Sequence, residues 1–475
     1  MISKVVILLV FSLPALQFFG PVPVRATDTR LHDPIIIHSN SDFTVRNGVT
    51  GGNGTPADPY IIEGWEIVSP SSSAILIQDT NAYFMIRNVL VHSGSGASLQ
   101  STFCSYLGHC GLLDFENATN GIVENSTISD NTGYPSVVVV HNSANITILH
   151  NAILSNAGGA VLAYSEGGAY STYLKTTVKD NLVLSNLSGI IIGTFVNAAV
   201  TGNDVSSSTL GGISVTYCHC NVSGNLVDNN GWGAYPLLQN GYGISAIRRC
   251  QCLVIGNTIS NNPIGLTIND APPAFHNNFI NNTVQALSGC PFEPCLRPFD
   301  NGYPSGGNYW SDYSSATDRC SGPNQDVCPS SDGITDKPYP IISSCPGCTL
   351  PGLDRYPLLR PFAPPVDGTV QFKPPVIASQ NTGSDLTAFI MLPQGFDASN
   401  IINSSIRLNG RITAESVMTI ARDNASSIMI ARFNMTDVRT LLLGPGIKAL
   451  HLTANTLTST SFRPFEASSE IRVLP

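Results

Sequence analysis

Between residues 85 and 279 one short phrase keeps returning: an apolar residue, two others, an asparagine, a spacer and a second apolar residue. It reads Val178-Lys-Asp-Asn181-Leu-Val183, Val200-Thr-Gly-Asn203-Asp-Val205, Val222-Ser-Gly-Asn225-Leu-Val227 and Val254-Ile-Gly-Asn257-Thr-Ile259. Related copies place Asn88, Asn125, Asn151 and Asn277 at the same point, the Asn125 copy with one extra residue after its asparagine. A second apolar run follows in most copies, usually opened by glycine, as at Gly189 and Gly212. Short β-branched runs punctuated by turn residues predict strands.

The eight asparagines are 37, 26, 30, 22, 22, 32 and 20 residues apart. The shortest intervals give a bare coil of three short strands and three turns, and the longer ones carry loops. Stacked coils pair strand on strand in parallel at about 4.8 Å. Asparagine suits one fixed turn, because its amide can bond the same residue one coil above and below and it tolerates left-handed backbone. The leucine spacing of a leucine-rich repeat is missing, and a propeller blade would need about 40 residues. The expected fold is all-β: a right-handed parallel β-helix solenoid over 59–285, with an N-terminal cap at 27–58 and a disulfide-rich C-terminal cap at 286–364. A proline-rich linker, Pro361 to Pro365, leads to alternating strands that predict a small Ig-like β-sandwich over 367–475. Such a module more often spaces or docks, here against an envelope partner, than catalyses.

Composition narrows the function. Only 12% of residues are charged, the net charge is −9, and no Lys/Arg cluster exceeds a pair, so nucleic acid and anionic membrane surfaces are excluded as partners. Lys4, the apolar run Val5 to Phe19 and Val24-Arg25-Ala26 read as a signal peptide over 1–26. Pro14, Gly20, Pro21 and Pro23 interrupt the segment short of a membrane span. A secreted, extracellular or cell-surface protein is expected, not an integral membrane one. Twelve cysteines agree with an oxidising compartment: Cys104 and Cys110, Cys290 and Cys295, Cys320 and Cys328, Cys345 and Cys348, and the triplets Cys218-His219-Cys220 and Cys250-Gln251-Cys252. Counted from Asn225 and Asn257, the triplets fall in register on neighbouring coils. That spacing predicts bridges Cys218–Cys250 and Cys220–Cys252; a four-thiolate metal site is the sharper alternative.

The repeat and two flanks resemble the NosD-like family of exported prokaryotic β-helix proteins. One flank is Gly51-Gly-Asn-Gly-Thr55-Pro-Ala-Asp-Pro-Tyr60 running on to Trp65. The other is Gly307-Asn-Tyr-Trp310-Ser-Asp-Tyr313, with Asp332-Gly-Ile-Thr-Asp336 and Asp354-Arg-Tyr-Pro-Leu358. The resemblance spans roughly residues 34–362. It implies a surface protein that binds or processes carbohydrate, in a family named after a periplasmic protein tied to copper delivery for nitrous oxide reductase. Relatives carry an acidic, calcium-like loop where this chain has Asp332 and Asp336, which leaves fewer carboxylate ligands. No cofactor is expected, with calcium at Asp332 and Asp336 the weak exception.

Three insertions align at one corner, Ser93 to Cys110, Thr132 to Pro135 and Asn229 to Tyr242. They bring Tyr106, Tyr134, Trp232, Tyr235 and Tyr242, whose faces could stack on sugar rings beside an amide-rich wall. Carboxylates near the coils (Asp114, Glu116, Glu124, Asp130, Asp180, Asp204, Asp228 and Asp270) fall mostly singly at turns. Binding of polysaccharide or surface glycan without catalysis is therefore the leading expectation. A polysaccharide lyase, hydrolase or epimerase, or a metal-related periplasmic accessory, are the alternatives.

Overall fold

A computed structural model describes residues 29–474 apart from 69, 96–110, 167–173, 234–240, 248–249, 270–273, 290–298, 344–351, 379–384, 394–395, 422–426 and 443. The expected signal peptide, Tyr106, Tyr235, Asp270, and Cys104, Cys110, Cys290, Cys295, Cys345 and Cys348 lie outside the described residues.

Each coil lays down three strands. Sheet one collects three-residue strands such as Leu182–Leu184, Asp204–Ser206 and Leu226–Asp228, eleven strands in all. Sheet two takes the longer run that follows, such as Ser188–Ile192 and Gly211–Thr216. Sheet three takes the next, such as Val196–Thr201 and His219–Ser223. Every coil-to-coil pairing in sheet one is parallel, as when Asp204 meets Leu226 and Leu182 meets Asp204. This is a parallel β-helix, wound right-handed as parallel crossovers almost always are.

Alternation sends Val178, Val200, Val222 and Val254 into the lumen, all fully buried, while their neighbours face out. Burying such a side chain stabilises by roughly 1.5–3 kcal/mol, and one continuous core runs from Ile35 to Ile341.

Winding reaches into both segments expected as caps. Arg30–Leu31 pairs with Trp65 and Glu66, and Ile35–Ile37 with Ile75 to Ile77. At the other end Tyr309–Trp310 adds a rung to sheet one, and Tyr339–Ser343 adds one to sheet two. There Phe279, Trp310 and Tyr339 stack at 4.3 Å spacings and plug the lumen. The apolar rings replace the coil that would otherwise come next.

The C-terminal strands form two sheets around a separate core of Leu386, Ala388, Ile390, Phe433, Leu450, Leu452 and Phe465. One hairpin dominates, Gly446–Leu457 against Phe462–Leu474. Asn434 caps a seven-residue helix, Met435–Leu441, by accepting from Thr436 N–H at 2.9 Å. The segment expected as a linker is pinned: Phe362 exchanges two hydrogen bonds with the Asn278 side chain and stacks on His276 at 4.4 Å. A small core of Ile334, Leu358 and Phe462 seals the two modules together.

Candidate functional site

The wall is organised by two columns of asparagine. In the first, Asn151, Asn181, Asn203, Asn225, Asn257 and Asn277 stack in turn. Asn225 Oδ1 accepts from both Asn203 N–H (2.9 Å) and Asn203 Nδ2 (3.0 Å), while Asn225 Nδ2 donates to Asn257 Oδ1 and Val200 O. The column ends on Asn308 of the Gly-Asn-Tyr-Trp flank. Asp354 closes it by accepting from Asn308 N–H and Trp310 Nε1, both at 2.8 Å. Burial pushes the Asp354 carboxyl up to about 7, against those donated hydrogen bonds.

Asn88 and Asn125 are not rungs. They sit one residue earlier with φ of 51° and 49°, the left-handed position held elsewhere by His150, Asp180 and Gly202. Ser126 stands in the column in place of Asn125, receiving Val89 N–H on its hydroxyl and giving its own N–H to Asn151 Oδ1. The extra residue in that copy shifts the register by one.

A second column, missed in the sequence, lies five residues further on at the exit from sheet one. It joins Asn131, Asn156 and Asn186, breaks at Ser208, and resumes with Asn230, Asn262 and Asn282. The signal was present, since Asn181 and Asn186 repeat the offset of Asn151 and Asn156.

Outside this second column runs an open groove of about 560 Å³, bounded by Asp130, Thr132, Ser155, Ala157, Ser185 and Thr209. Hydroxyls and small side chains share its lining with Leu187 and the Asn156 and Asn186 amides. Trp232 stands one coil beyond Thr209, since Gly231 and Gly233 bond back to Ser208 and Thr209. Trp232 is 58% exposed, yet its Nε1 donates to Asn261 O at 2.8 Å. A fixed indole with an open face fits stacking on a sugar ring. Tyr242 is half-buried at the start of its strand and covers Gly211, where a Cβ would lie 2.6 Å from the ring. Tyr134 leaves the proposed wall altogether. It is 4% exposed, and its hydroxyl donates to Pro70 O and Ser72 O, because its short loop folds inward as part of the core.

A different group forms on the outer face of sheet two. Glu116, His141 and Tyr164 occupy one register row on three successive coils, with Asp114 two residues before Glu116 on the same face. His141 Nδ1 lies 3.8 Å from Glu116 Oε1, and the His141 and Tyr164 rings stack at 4.7 Å. Burial first, and the Glu116 charge after it, push Asp114 up to about 7 against one hydrogen bond from Gly111 N–H. Burial and the nearby carboxylates also push Tyr164 up. Asp114 and Glu116 were visible as carboxylates, but the register that adds His141 and Tyr164 is not readable without the pairing. Asp204 and Asp228 are also brought near one another on sheet one; burial, then the Asp228 charge, raise Asp204.

The Cys320–Cys328 bridge is present. The two triplets stack as the spacing requires, Cys220 opposite Cys252 and His219 opposite Gln251. The expected Cys220–Cys252 bond forms, with Cys250 also brought onto Cys252, while Cys218 stays free with its Sγ 3.4 Å from that of Cys250 in place of the expected Cys218–Cys250 bridge. Their four sulfurs point into the lumen, all buried and all within 4.8 Å of one another. Burial raises the Cys218 thiol to about 12. Asp336 spends its carboxylate on Arg319 N–H, Cys320 N–H and the Thr317 hydroxyl. Asp332 accepts from Gln325 Nε2 and Ile334 N–H. Both candidate calcium ligands thus serve to close their own loop.

Residues 88–315 match the family described as periplasmic copper-binding protein (NosD). No curated protein matches the chain. Among solved structures, a DFA-IIIase from Arthrobacter chlorophenolicus A6 is 11% identical, with a TM-score of 0.26 over 57% of this chain and 84% of its own. An exopolygalacturonase from Thermotoga maritima is 12% identical, with a TM-score of 0.21 over 55% of this chain and 76% of its own. A tailspike protein of Escherichia coli O157:H7 bacteriophage CAB120 is 10% identical, with a TM-score of 0.26 over 87% of this chain and 63% of its own. Among the described residues no helix is long and apolar enough to cross a membrane.

Proposed function

We propose that this chain, whose residues 88–315 match the NosD family model, is an exported protein that binds a neutral polysaccharide or surface glycan along the groove beside the second asparagine column. One observation carries the reading: an exposed, hydrogen-bonded Trp232 placed one coil beyond an open groove lined by hydroxyls, amides and Leu187. The net charge of −9 and Asp130 in the groove wall argue against an anionic chain. Nothing in such binding demands a reaction. On a glycan array and by calorimetry, Trp232→Ala weakens binding at least tenfold, the loss of one stacked ring at roughly 1.4 kcal/mol. Tyr217→Ala, an exposed aromatic at another corner, leaves affinity unchanged. Undiminished binding by the Trp232 variant ends this reading.

A second reading, acid–base catalysis on a glycan, is favoured by the row on sheet two. Burial raises Asp114 to about 7, so part of it keeps its proton near neutral pH, and the more exposed Glu116 lies two residues away; a pair of carboxyl groups is the minimum for glycosidic cleavage. Product analysis on oligosaccharides decides it. Turnover that disappears in Asp114→Asn while binding survives supports catalysis, and absence of any product refutes it.

A further inference from the structure

We propose that this chain forms a twofold dimer through its C-terminal module, the strand Ser416–Ala421 of one copy pairing antiparallel with the same strand of a second copy. The joint belongs to a different module from the groove and does not rest on glycan binding.

The four-stranded sheet of that module runs in the order Thr369–Lys373, Leu386–Met391, Ser427–Phe433, Ser416–Ala421. Its inner face is core, with Val370, Ala388, Ile390, Met429 and Ala431 all buried. Alternation puts the intervening residues on the outer face, where a sheet that meets water carries polar side chains. Here two rows are apolar instead. Register sets Phe389, Ile430 and Met418 side by side in one, and Met391, Ile428 and Ile420 in the other. The first two members of each row are partly buried, while Met418 and Ile420 are 53% and 43% exposed. Exposure rises toward the last strand, as though the rows wanted a further neighbour.

The two edges of this sheet differ. On the Thr369–Lys373 side the rows stop at Thr369 and Gln371. Lys373 Nζ lies over the Phe389 ring at 5.0 Å, and Pro374 and Pro375 follow it. Lysine and proline are residues with which native proteins block an edge. Ser416–Ala421 has neither, nor any charged residue, and its pairing with Ser427–Phe433 runs through six residues without a bulge. Among the described residues it pairs with no other strand. Alternate N–H and C=O groups along it therefore point away from the sheet and want partners. Whatever covers this edge must supply a strand and continue two apolar rows.

A second copy does both. Antiparallel pairing about a twofold at Thr419 sets Met418 opposite Ile420 of the second copy, and Ile420 opposite its Met418. Each row then runs on unbroken: Phe389, Ile430 and Met418, followed by Ile420, Ile428 and Met391 of the second copy. Thr419 meets itself, a favourable cross-strand pair. Opposed residues in this register share parity, so whichever alternate backbone groups face outward meet their counterparts. A twofold at Met418 would instead set Ile420 against Ser416 and, beyond it, Arg432, which breaks the second row. The apolar pattern thus selects one register. A six-residue edge with four apolar side chains is a small joint, so the dimer dissociates on dilution.

Sedimentation velocity and light scattering on the full exported protein follow mass against concentration, and a reversible monomer–dimer equilibrium is expected. Met418→Lys with Ile420→Lys raises the dimer dissociation constant at least tenfold. The melting temperature of the diluted protein stays the same, because both side chains face solvent. Thr419→Cys cross-links to itself on mild oxidation, since opposed Cα atoms about 4.5–5.5 Å apart lie within disulfide reach. Ser416→Cys, displaced from the twofold, does not. A wild type that stays monomeric up to its solubility limit overturns the proposal and leaves the edge to a foreign strand, such as one from an envelope protein. A dimer indifferent to the lysine pair overturns it as well. So does a dimer lost in that pair but never cross-linked through Thr419, which would pack the apolar rows face to face.

Discussion

The two corners that bracket sheet one are built from the same device and yet behave differently. At each, a left-handed residue precedes a buried asparagine: Asp180 then Asn181 on entering, Ser185 then Asn186 on leaving. From Arg87 onward the entry corner keeps one length. Arg87 to Leu90, Leu149 to Ala152, Thr201 to Asp204 and Ile255 to Thr258 each span two residues between strands. The exit corner stretches from three residues after Leu184 to thirteen after Asp228 and eighteen after His92. The entry column is also unbroken from Asn151 to Asn308, whereas the exit column has a gap at Ser208. An amide chain in which each member satisfies the next tolerates no insertion at its own turn, since a displaced residue leaves a buried donor and acceptor unpaired on both neighbours. Variation, and with it the groove and Trp232, therefore collects at the exit corner.

The largest expected effect breaks the strict corner. Asn225→Ala removes the acceptor of two Asn203 hydrogens and the donor to Val200 O and Asn257 Oδ1. At about 1–3 kcal/mol for each buried group left unpaired, the loss is on the order of 3–5 kcal/mol, read as a lower urea midpoint for the β-helix. Thr209→Ala at the exit corner stays within about 0.5 kcal/mol. Equal losses at the two positions would erase the distinction between the corners.

The same contrast explains what the sequence could show. Period and fold were legible because the entry corner is rigid in length, so Asn181, Asn203, Asn225 and Asn257 recur with identical flanks. The exit column was hidden because its asparagines stand beside loops of changing length and one rung is serine. Asn88 and Asn125 were misplaced for a related reason: asparagine serves both positions of the device, and only pairing tells the rung from the left-handed residue before it. The aromatic wall was half legible. Loop membership named Trp232, which the structure leaves exposed, and Tyr134 alike, whose ring instead reaches back to Pro70 and Ser72 across more than sixty residues. The acid–histidine–tyrosine row needed the strand register of three coils at once.

The gap in the exit column offers a gain where the other substitutions lose. Ser208 N–H reaches Asn230 Oδ1 at 2.9 Å, but its hydroxyl finds no partner among the described residues, and Asn186 donates only to carbonyls of Ile153 and Leu184. Ser208→Asn would extend the chain from Asn186 to Asn230 with the geometry its neighbours already hold. One or two added hydrogen bonds are worth about 1 kcal/mol, seen as a rise of a few degrees in the melting temperature of the full chain. A fall would mean that the exit column is held open for its loops and is not merely incomplete.

The smallest effect separates the two uses of asparagine. Asn125 has φ of 49° and takes no part in the column, where Ser126 replaces it. What its position requires is a left-handed backbone, which costs an ordinary L-residue about 1 kcal/mol and glycine almost nothing. Asn125→Ala is therefore expected to destabilise by about 1 kcal/mol and Asn125→Gly by a few tenths at most. At Asn225 the order changes: glycine is no better than alanine, because the missing part is the amide and not the backbone freedom. Chemical denaturation of the four variants reads the difference directly. If glycine failed at Asn125 as it does at Asn225, that asparagine would be acting as a rung through its side chain, and the two-residue device at both corners would have to be redrawn.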